Sequence, residues 1–76
     1  MPSVTINGES QRVDEGETLG SLLLRMGLSE KPVVCEVDLT IVPRDDWSRT
    51  VLCEGAQIEI IGFVGGGALD LSWNQD

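Results

Sequence analysis

The sequence predicts an α+β fold, in which a mixed sheet of four to five strands is crossed by one main helix. Three observations predict it: a hairpin signal at Asn7-Gly8, leucines at helical spacing after Thr18, and an alternating β-branched run that begins at Gln57. Alternation and β-branched residues favour strands, whereas apolar residues three and four positions apart favour a helix. A chain of 76 residues has room for only one domain, so these elements must share one core.

The first two strands are expected in residues 3–14, where two short β-prone runs flank Asn7-Gly8. Asn-Gly is the strongest short-range signal for a two-residue hairpin turn, because both residues tolerate the positive φ angles that the turn requires. A hairpin is therefore predicted to open the fold.

The main helix is predicted to begin after Thr18, which is a suitable N-cap. Its apolar face is formed by residues at helical spacing, namely Leu19, Leu22, Leu23 and Met26. Gly27 supplies a left-handed stop, so the pattern predicts one helix of about ten residues. Acidic residues lie just before the helix, where the positive end of its dipole favours them: Asp14, Glu15 and Glu17.

Further strands are expected on either side of a short helical turn. Residues 33–37 are rich in valine and predict a strand, and after a polar turn at Asp38 the run 40–42 continues to Pro43. The segment 44–47 has turn chemistry and predicts a single helical turn, with Trp47 covering one edge of the core.

The last predicted strand begins at Gln57 and alternates apolar and polar residues along one packed face. A Glu54-Gly55 turn separates it from the β-prone run 50–52. The element order is then strand, strand, helix, strand, short strand and last strand. This order is that of a β-grasp fold, in which one helix crosses a small mixed sheet.

Charge and composition exclude several classes of function. Thirteen acidic against five basic residues give a net charge of −8, which disfavours nucleic acid and anionic lipid and favours a basic partner. No apolar stretch approaches the roughly 20 residues of a membrane span, and the N-terminus does not resemble a signal peptide. We therefore expect a cytoplasmic protein. Several acidic residues are either contacts for a basic partner or a solvated face: Asp45, Asp46, Glu54 and Glu59.

Enzymatic chemistry is not expected of this chain. It contains no histidine, and its two cysteines, Cys35 and Cys53, form no metal-binding motif. We expect both to be ordinary unpaired thiols. A domain of this size has no room for a deep catalytic cleft.

The run Gly65-Gly66-Gly67 follows Phe63-Val64 directly, after the last predicted strand. Consecutive glycines have no side-chain bulk, so they can pass through a channel too narrow for other residues. Such a segment can deliver its end into the active site of another protein. The alternative is a flexible linker between a domain and a tail.

Two segments together resemble the ThiS family of sulfur carriers for thiamin biosynthesis. One is Ile41-Val42-Pro43-Arg44-x-x-Trp47, and the other runs from Gln57 to the terminal glycines. The N-terminal half agrees through Ile6-Asn7-Gly8-Glu9 and the strand 34–38, so the resemblance covers residues 3–67. It implies a ubiquitin-like β-grasp domain at 1–64, a flexible glycine active end at 65–67 and a C-terminal extension at 68–76.

The resemblance implies a carrier that is a protein cosubstrate and binds no cofactor itself. In this family a ThiF-like adenylating enzyme uses ATP to activate the C-terminal glycine carboxylate. A sulfur donor then forms a thiocarboxylate, and a ThiG-like thiazole synthase accepts the sulfur. By the same resemblance, Gly67 would bear the thiocarboxylate and Gly66 would adjoin it. The partner enzymes would contact Phe63, Val64 and Gly65.

The chain departs from the family pattern because nine residues follow Gly67, and an amide to Ala68 leaves no acid to activate. In one interpretation a JAMM-type metalloprotease trims residues 68–76. In another the extension is an expression tag or a misread gene end. In the third the chain is no longer a carrier, and the extension is a docking peptide or a regulatory cap whose contact surface is formed by Leu69, Leu71 and Trp73. The extension is expected to be disordered or removed.

Two alternative functions share the same fold. One is a sulfur carrier for molybdopterin or another sulfur-containing metabolite. The other is a ubiquitin-like binding module in which the glycines are only a linker. The Pro43-Arg44-x-x-Trp47 segment favours the thiamin type.

Overall fold

The computed structural model describes residues 1–62, which form a five-stranded mixed sheet with an α-helix packed on one face. The elements are β1 (Ser3–Ile6), β2 (Glu9–Arg12), α1 (Leu19–Arg25), β3 (Val33–Val37), β4 (Thr40–Val42), a 3₁₀ helix (Arg44–Arg49) and β5 (Gln57–Gly62). The strand order is β2-β1-β5-β3-β4, with β5 parallel to β1 and antiparallel to β3. The predicted α+β class is confirmed, with five strands.

The opening hairpin forms as predicted. Asn7 and Gly8 have φ angles of 50° and 87°, which is the geometry of a type I′ turn. This turn sets the antiparallel register of β1 and β2, with Ser3 opposite Arg12.

The helix α1 spans seven residues rather than about ten, because the residues at its two ends serve as caps. The Thr18 hydroxyl oxygen accepts a hydrogen bond from the Ser21 N–H at 3.1 Å. At the other end Met26 is the C-cap, and Gly27 takes a φ of +77°, the left-handed stop that the sequence predicts. Among the described residues, no helix is long and apolar enough to cross a membrane.

The core lies between α1 and the inner face of the sheet. Along β5 the buried residues alternate, so Ile58 and Ile60 point inward. Helix and loop residues complete it, including Leu19, Leu22, Leu23, Leu28, Leu52 and Trp47. Trp47 is only 5% exposed, which confirms its predicted place at the core.

The β-prone run 50–52 forms a single bridge, between Val51 and Thr18, rather than a strand. Its backbone partners explain this. The Leu52 N–H donates to the Glu17 carbonyl and the Leu19 N–H donates to the Thr50 carbonyl, both at 2.8 Å. Residues 50–52 are therefore hydrogen-bonded to the start of α1 and do not join the sheet.

Both cysteines are free, as the sequence predicts. Cys35 lies on β3 in the core, where burial raises the pKa of its thiol to about 11, with the Arg44 charge opposing the shift. Cys53 is exposed. Burial accordingly suppresses thiolate formation at Cys35.

The Glu17 carboxylate is buried beside α1, with 4% of its side chain exposed. Burial alone would raise its pKa, but hydrogen bonds from the Asp14 N–H, the Arg25 guanidinium and the Ser21 hydroxyl, together with the Arg25 charge, outweigh this and lower it. The Arg25 nitrogens reach the carboxylate at 3.0 to 3.2 Å. Glu17 therefore ties the start of the helix to its last turn.

The lowered pKa of Glu17 predicts an acid-sensitive contribution to stability. The contribution is present above the ordinary value of 4.5 and is lost as the pH falls through the lower folded-state value. We expect Glu17→Gln to lower the free energy of unfolding by roughly 1–3 kcal/mol at neutral pH. We expect the variant to lose less stability than the wild type on acidification. Urea unfolding across the acid range measures both effects.

Glu15→Gln, at an exposed position, is the control. If the free energy of unfolding depends on pH in the same way in the wild type and in Glu17→Gln, the assignment is contradicted.

Candidate functional site

The candidate site is the last described part of β5, which precedes the glycine run in the sequence. Gly62 is the last residue of β5 and lies opposite Val33, the first residue of β3. The predicted site residues all follow it and lie outside the described residues: Phe63, Val64, Gly65, Gly66 and Gly67. The structure thus defines the place from which they depart.

Asn7 supports the last part of β5. Strand β1 pairs with β5 only at residues 57 and 58, so the following residues have lost that neighbour. The Asn7 side chain takes its place, since its Oδ1 accepts from the Ile60 N–H at 2.8 Å and its Nδ2 donates to the Ile60 carbonyl at 3.4 Å. Sequence analysis identified Asn7 only as a turn residue. The structure adds that it holds β5 two residues before Gly62.

The Pro43–Trp47 segment forms a clamp around the loop that precedes β3. The Arg44 guanidinium donates to the Ser29 carbonyl and, at 2.7 Å, to the Lys31 carbonyl. It also lies 4.4 Å from the centroid of the Trp47 ring, a cation–π contact. The Trp47 Nε1 donates to the Val42 carbonyl at 3.0 Å. This segment therefore fixes the entry to β3, directly beside the end of β5.

The face of the sheet that points away from α1 carries both apolar and acidic side chains. We define the outer face as the outward-pointing residues of the β5, β3 and β4 strands near the exit: Val34, Glu36, Ile41, Glu59 and Ile61. Ile61 lies opposite Val34, while Glu36 lies between Glu59 on β5 and Ile41 on β4. Of these five, only Glu59 was a candidate from the sequence. The alternation of buried and exposed residues along β5 identifies Ile61 as well.

The other acidic candidates do not join this face. Asp46 forms an ion pair with Arg49 within the 3₁₀ helix. The Glu54 Oε1 accepts from the Ser3 N–H at 2.9 Å, near the start of β5. Asp45 is exposed on the 3₁₀ helix. Asp46 and Glu54 therefore have local structural partners.

A surface cavity of about 480 Å³ lies near the start of β5, at the opposite end of that strand from Gly62. Its lining includes Met1, Val51, Cys53 and Glu54. Within residues 1–62, no group of three or more His, Cys, Asp or Glu side chains could hold a metal ion. Three features lie near Gly62: the last part of β5, the contacts of Asn7 and of the Pro43–Trp47 segment that support it, and the outer face.

Comparison with protein families and solved structures gives one consistent result. A model of the ThiS family matches residues 4–67. The crystal structure of the thiamine biosynthesis protein (ThiS) from Geobacter metallireducens has 26% sequence identity and a TM-score of 0.73, covering 86% of this chain and 99% of that one. The solution structure of a thiamine biosynthesis protein from the same organism has 27% identity and a TM-score of 0.68, covering 90% and 91%. These likenesses confirm the β-grasp fold.

Two curated relatives are named thiazole synthase. The protein from Paramagnetospirillum magneticum is 32% identical over 65 residues, and that from Magnetococcus marinus is 36% identical over 64 residues. The matches cover 86% and 84% of this chain. In both cases the chain spans only 20% of the relative's length.

The support that Asn7 gives to β5 can be tested by hydrogen exchange. Asn7→Gly keeps a residue that tolerates positive φ but removes both side-chain contacts to Ile60. We expect the Ile60 amide to exchange about fivefold faster, since a lost hydrogen bond is worth roughly 1 kcal/mol. Asn7→Asp keeps an oxygen acceptor for that amide and is the matched control. Equal protection of Ile60 in the glycine variant and the wild type would exclude this role.

Proposed function

The chain belongs to the ThiS family, and from this premise we propose that it is a sulfur carrier for the synthesis of the thiamin thiazole. In this proposal the carboxylate of Gly67 is adenylated and converted to a thiocarboxylate, which donates its sulfur to an acceptor enzyme. The protein is then a cosubstrate, and a ThiF-like adenylating enzyme binds the ATP. The observation that carries the proposal is the pairing of Gly62 with Val33 in the sheet, five residues before Gly67 in the sequence.

The length of chain from Gly62 to Gly67 suits delivery of the glycine end into the active site of a partner. Five residues, fully extended, span at most roughly 17 Å. Asn7 bonds Ile60 on one side of β5 and Gly62 pairs with β3 on the other, so this length is counted from a residue held in the sheet. A rigid domain with a short glycine end can therefore present one carbonyl to an enzyme that binds the domain itself.

The chemistry explains why the end must be glycine. A carboxylate is a poor electrophile, so one of its oxygens first attacks the α-phosphorus of ATP and expels pyrophosphate. A sulfur nucleophile then attacks the acyl carbon and expels AMP, leaving the thiocarboxylate. Both steps need an unobstructed approach to one carbonyl, and a side chain at Gly66 or Gly67 would narrow it.

Residues 68–76 must be removed before this cycle begins. Hydrolysis of the amide between Gly67 and Ala68 releases the carboxylate that ATP can activate. A JAMM-type metalloprotease is the class of enzyme that we propose for this step.

The sulfur acceptor that we propose is a ThiG-like thiazole synthase. Both curated relatives carry that name, and in each the segment similar to this chain makes up 20% of the protein. Because proteins named thiazole synthase contain a segment similar to this chain, the thiazole is favoured over molybdopterin as the destination of the sulfur. It also favours a carrier over a binding module whose glycines are only a linker.

Alanine variants of the glycine end test the proposal. The chain that ends at Gly67 is incubated with the ThiF-type enzyme of the same organism, ATP and sulfide, and the product is measured by intact mass. We expect the wild type to gain sulfur in place of one oxygen. We expect Gly66→Ala and Gly67→Ala to be charged at least about a hundredfold more slowly, as misplacement of a reacting group allows.

The controls separate loss of charging from loss of folding. Ser10→Ala, on the distant strand β2, should be charged normally, and all variants should unfold at the wild-type temperature. The chain of residues 1–76 should not be charged, because its Gly67 carbonyl is an amide. Normal charging of the two glycine variants would refute the carrier proposal.

A further inference from the structure

The outer face contains two like charges in direct opposition. Glu59 on β5 lies opposite Glu36 on β3, and neither side chain is buried. Residues directly opposite in an antiparallel pair have Cβ atoms roughly 4.5–5.5 Å apart, and like charges at such positions destabilise the sheet. The pair therefore costs stability in the free protein.

The described part of the chain does not neutralise this pair. Its ion pairs join Arg25 to Glu17 and Arg49 to Asp46. Arg44 is engaged by the loop carbonyls and Trp47. Arg12 lies on β2, at the far edge of the sheet and two strands away from β5. Lys31, in the loop before β3, belongs to neither ion pair. Within residues 1–62, no cation is thus bonded to either Glu36 or Glu59.

Exposed apolar side chains surround the two glutamates. Ile41 is 61% exposed and lies opposite Glu36 on its β4 side, while Ile61 is 46% exposed and lies opposite Val34. On a solvated sheet face the outward positions are ordinarily polar. A face that combines apolar residues with an unneutralised charge pair is typical of a binding surface.

The charges on the chain identify the kind of occupant. A second copy would bring a molecule with a net charge of −8 and the same two glutamates against this face. The extension 68–76 has apolar residues, but its charged side chains are Asp70 and Asp76, both acidic. Either occupant would add like charge to the pair. A separate protein with a basic group at this point would neutralise it.

We propose that the outer face docks onto a partner protein that inserts an arginine between Glu36 and Glu59 and packs apolar side chains against Val34, Ile41 and Ile61. Arginine fits better than lysine, because its planar guanidinium can donate to two carboxylates at once. The proposal rests on the carrier function proposed above, and it assigns this contact to the adenylating enzyme. Ile61 directly precedes Gly62, so the docked face also fixes where the glycine end enters the enzyme.

The proposal predicts that stability and binding change in opposite directions. Glu36→Gln and Glu59→Gln each remove the repulsion, so we expect each to raise the unfolding temperature of the free protein by roughly 1–5 °C. Each also removes a contact to the arginine, so we expect affinity to fall about tenfold or more. Ile41→Thr, which keeps a β-branched residue, should weaken binding without this gain in stability.

Calorimetric titration of the chain of residues 1–76 into the ThiF-type enzyme of the same organism measures affinity, and thermal unfolding measures stability. Glu15→Gln is the matched control, since it makes the same charge change at an exposed position outside the sheet and should leave affinity within twofold of the wild type. In the wild type, affinity should fall as salt rises. In Glu36→Gln and Glu59→Gln this dependence should be weaker.

The outcomes distinguish this proposal from the carrier function. If the wild type binds the enzyme and the two glutamine variants bind equally well, the docking proposal is overturned while the carrier function stands. If either variant is less stable than the wild type, the repulsion on which it rests is absent and it is overturned as well. If the wild type neither binds the enzyme nor, after release of Gly67, becomes charged by it, both proposals fail.

Discussion

The position of β5 between β1 and β3 is the constraint on which the rest of the structure depends. Its inward residues, Ile58 and Ile60, belong to the core, and its outward residues, Glu59 and Ile61, belong to the outer face. A slip of one residue would exchange these two sets, so burial of the isoleucines strongly specifies the register. The same register places Gly62 opposite Val33, and core packing therefore fixes the position of the residue that precedes Phe63.

Two contacts maintain this arrangement where the sheet ends. The Asn7 side-chain amide bonds to Ile60 at a point where β1 no longer pairs with β5. The contacts of Arg44 and Trp47 hold the loop that leads into β3. The Pro-Arg-x-x-Trp segment, which carries much of the family resemblance, thus has a structural role in the described residues. It stabilises the neighbour of the strand from which the glycine end departs. In the proposed carrier, a short glycine end can place its carbonyl accurately only if the strand before it is held in position.

Sequence reasoning predicted those elements whose signals are local. The Asn7-Gly8 turn, the Thr18 cap and the alternation along β5 each lie within a few residues, and all are confirmed. It did not predict the opposition of Glu36 and Glu59, because this depends on the register of strands more than twenty positions apart in sequence. The run 50–52 has strand propensity, but its backbone is hydrogen-bonded to residues at the start of α1 and therefore does not pair with a strand of the sheet. The resemblance supplied the roles of the glycines, which lie beyond the described residues.

If this protein is a sulfur carrier, its working form ends at Gly67 and holds sulfur there. Intact-mass spectrometry of the protein isolated from its native host during thiamin-limited growth tests this. We expect a species that ends at Gly67 with sulfur in place of one carboxylate oxygen. Detection of only unmodified chain that continues past Gly67 into Ala68 would contradict it.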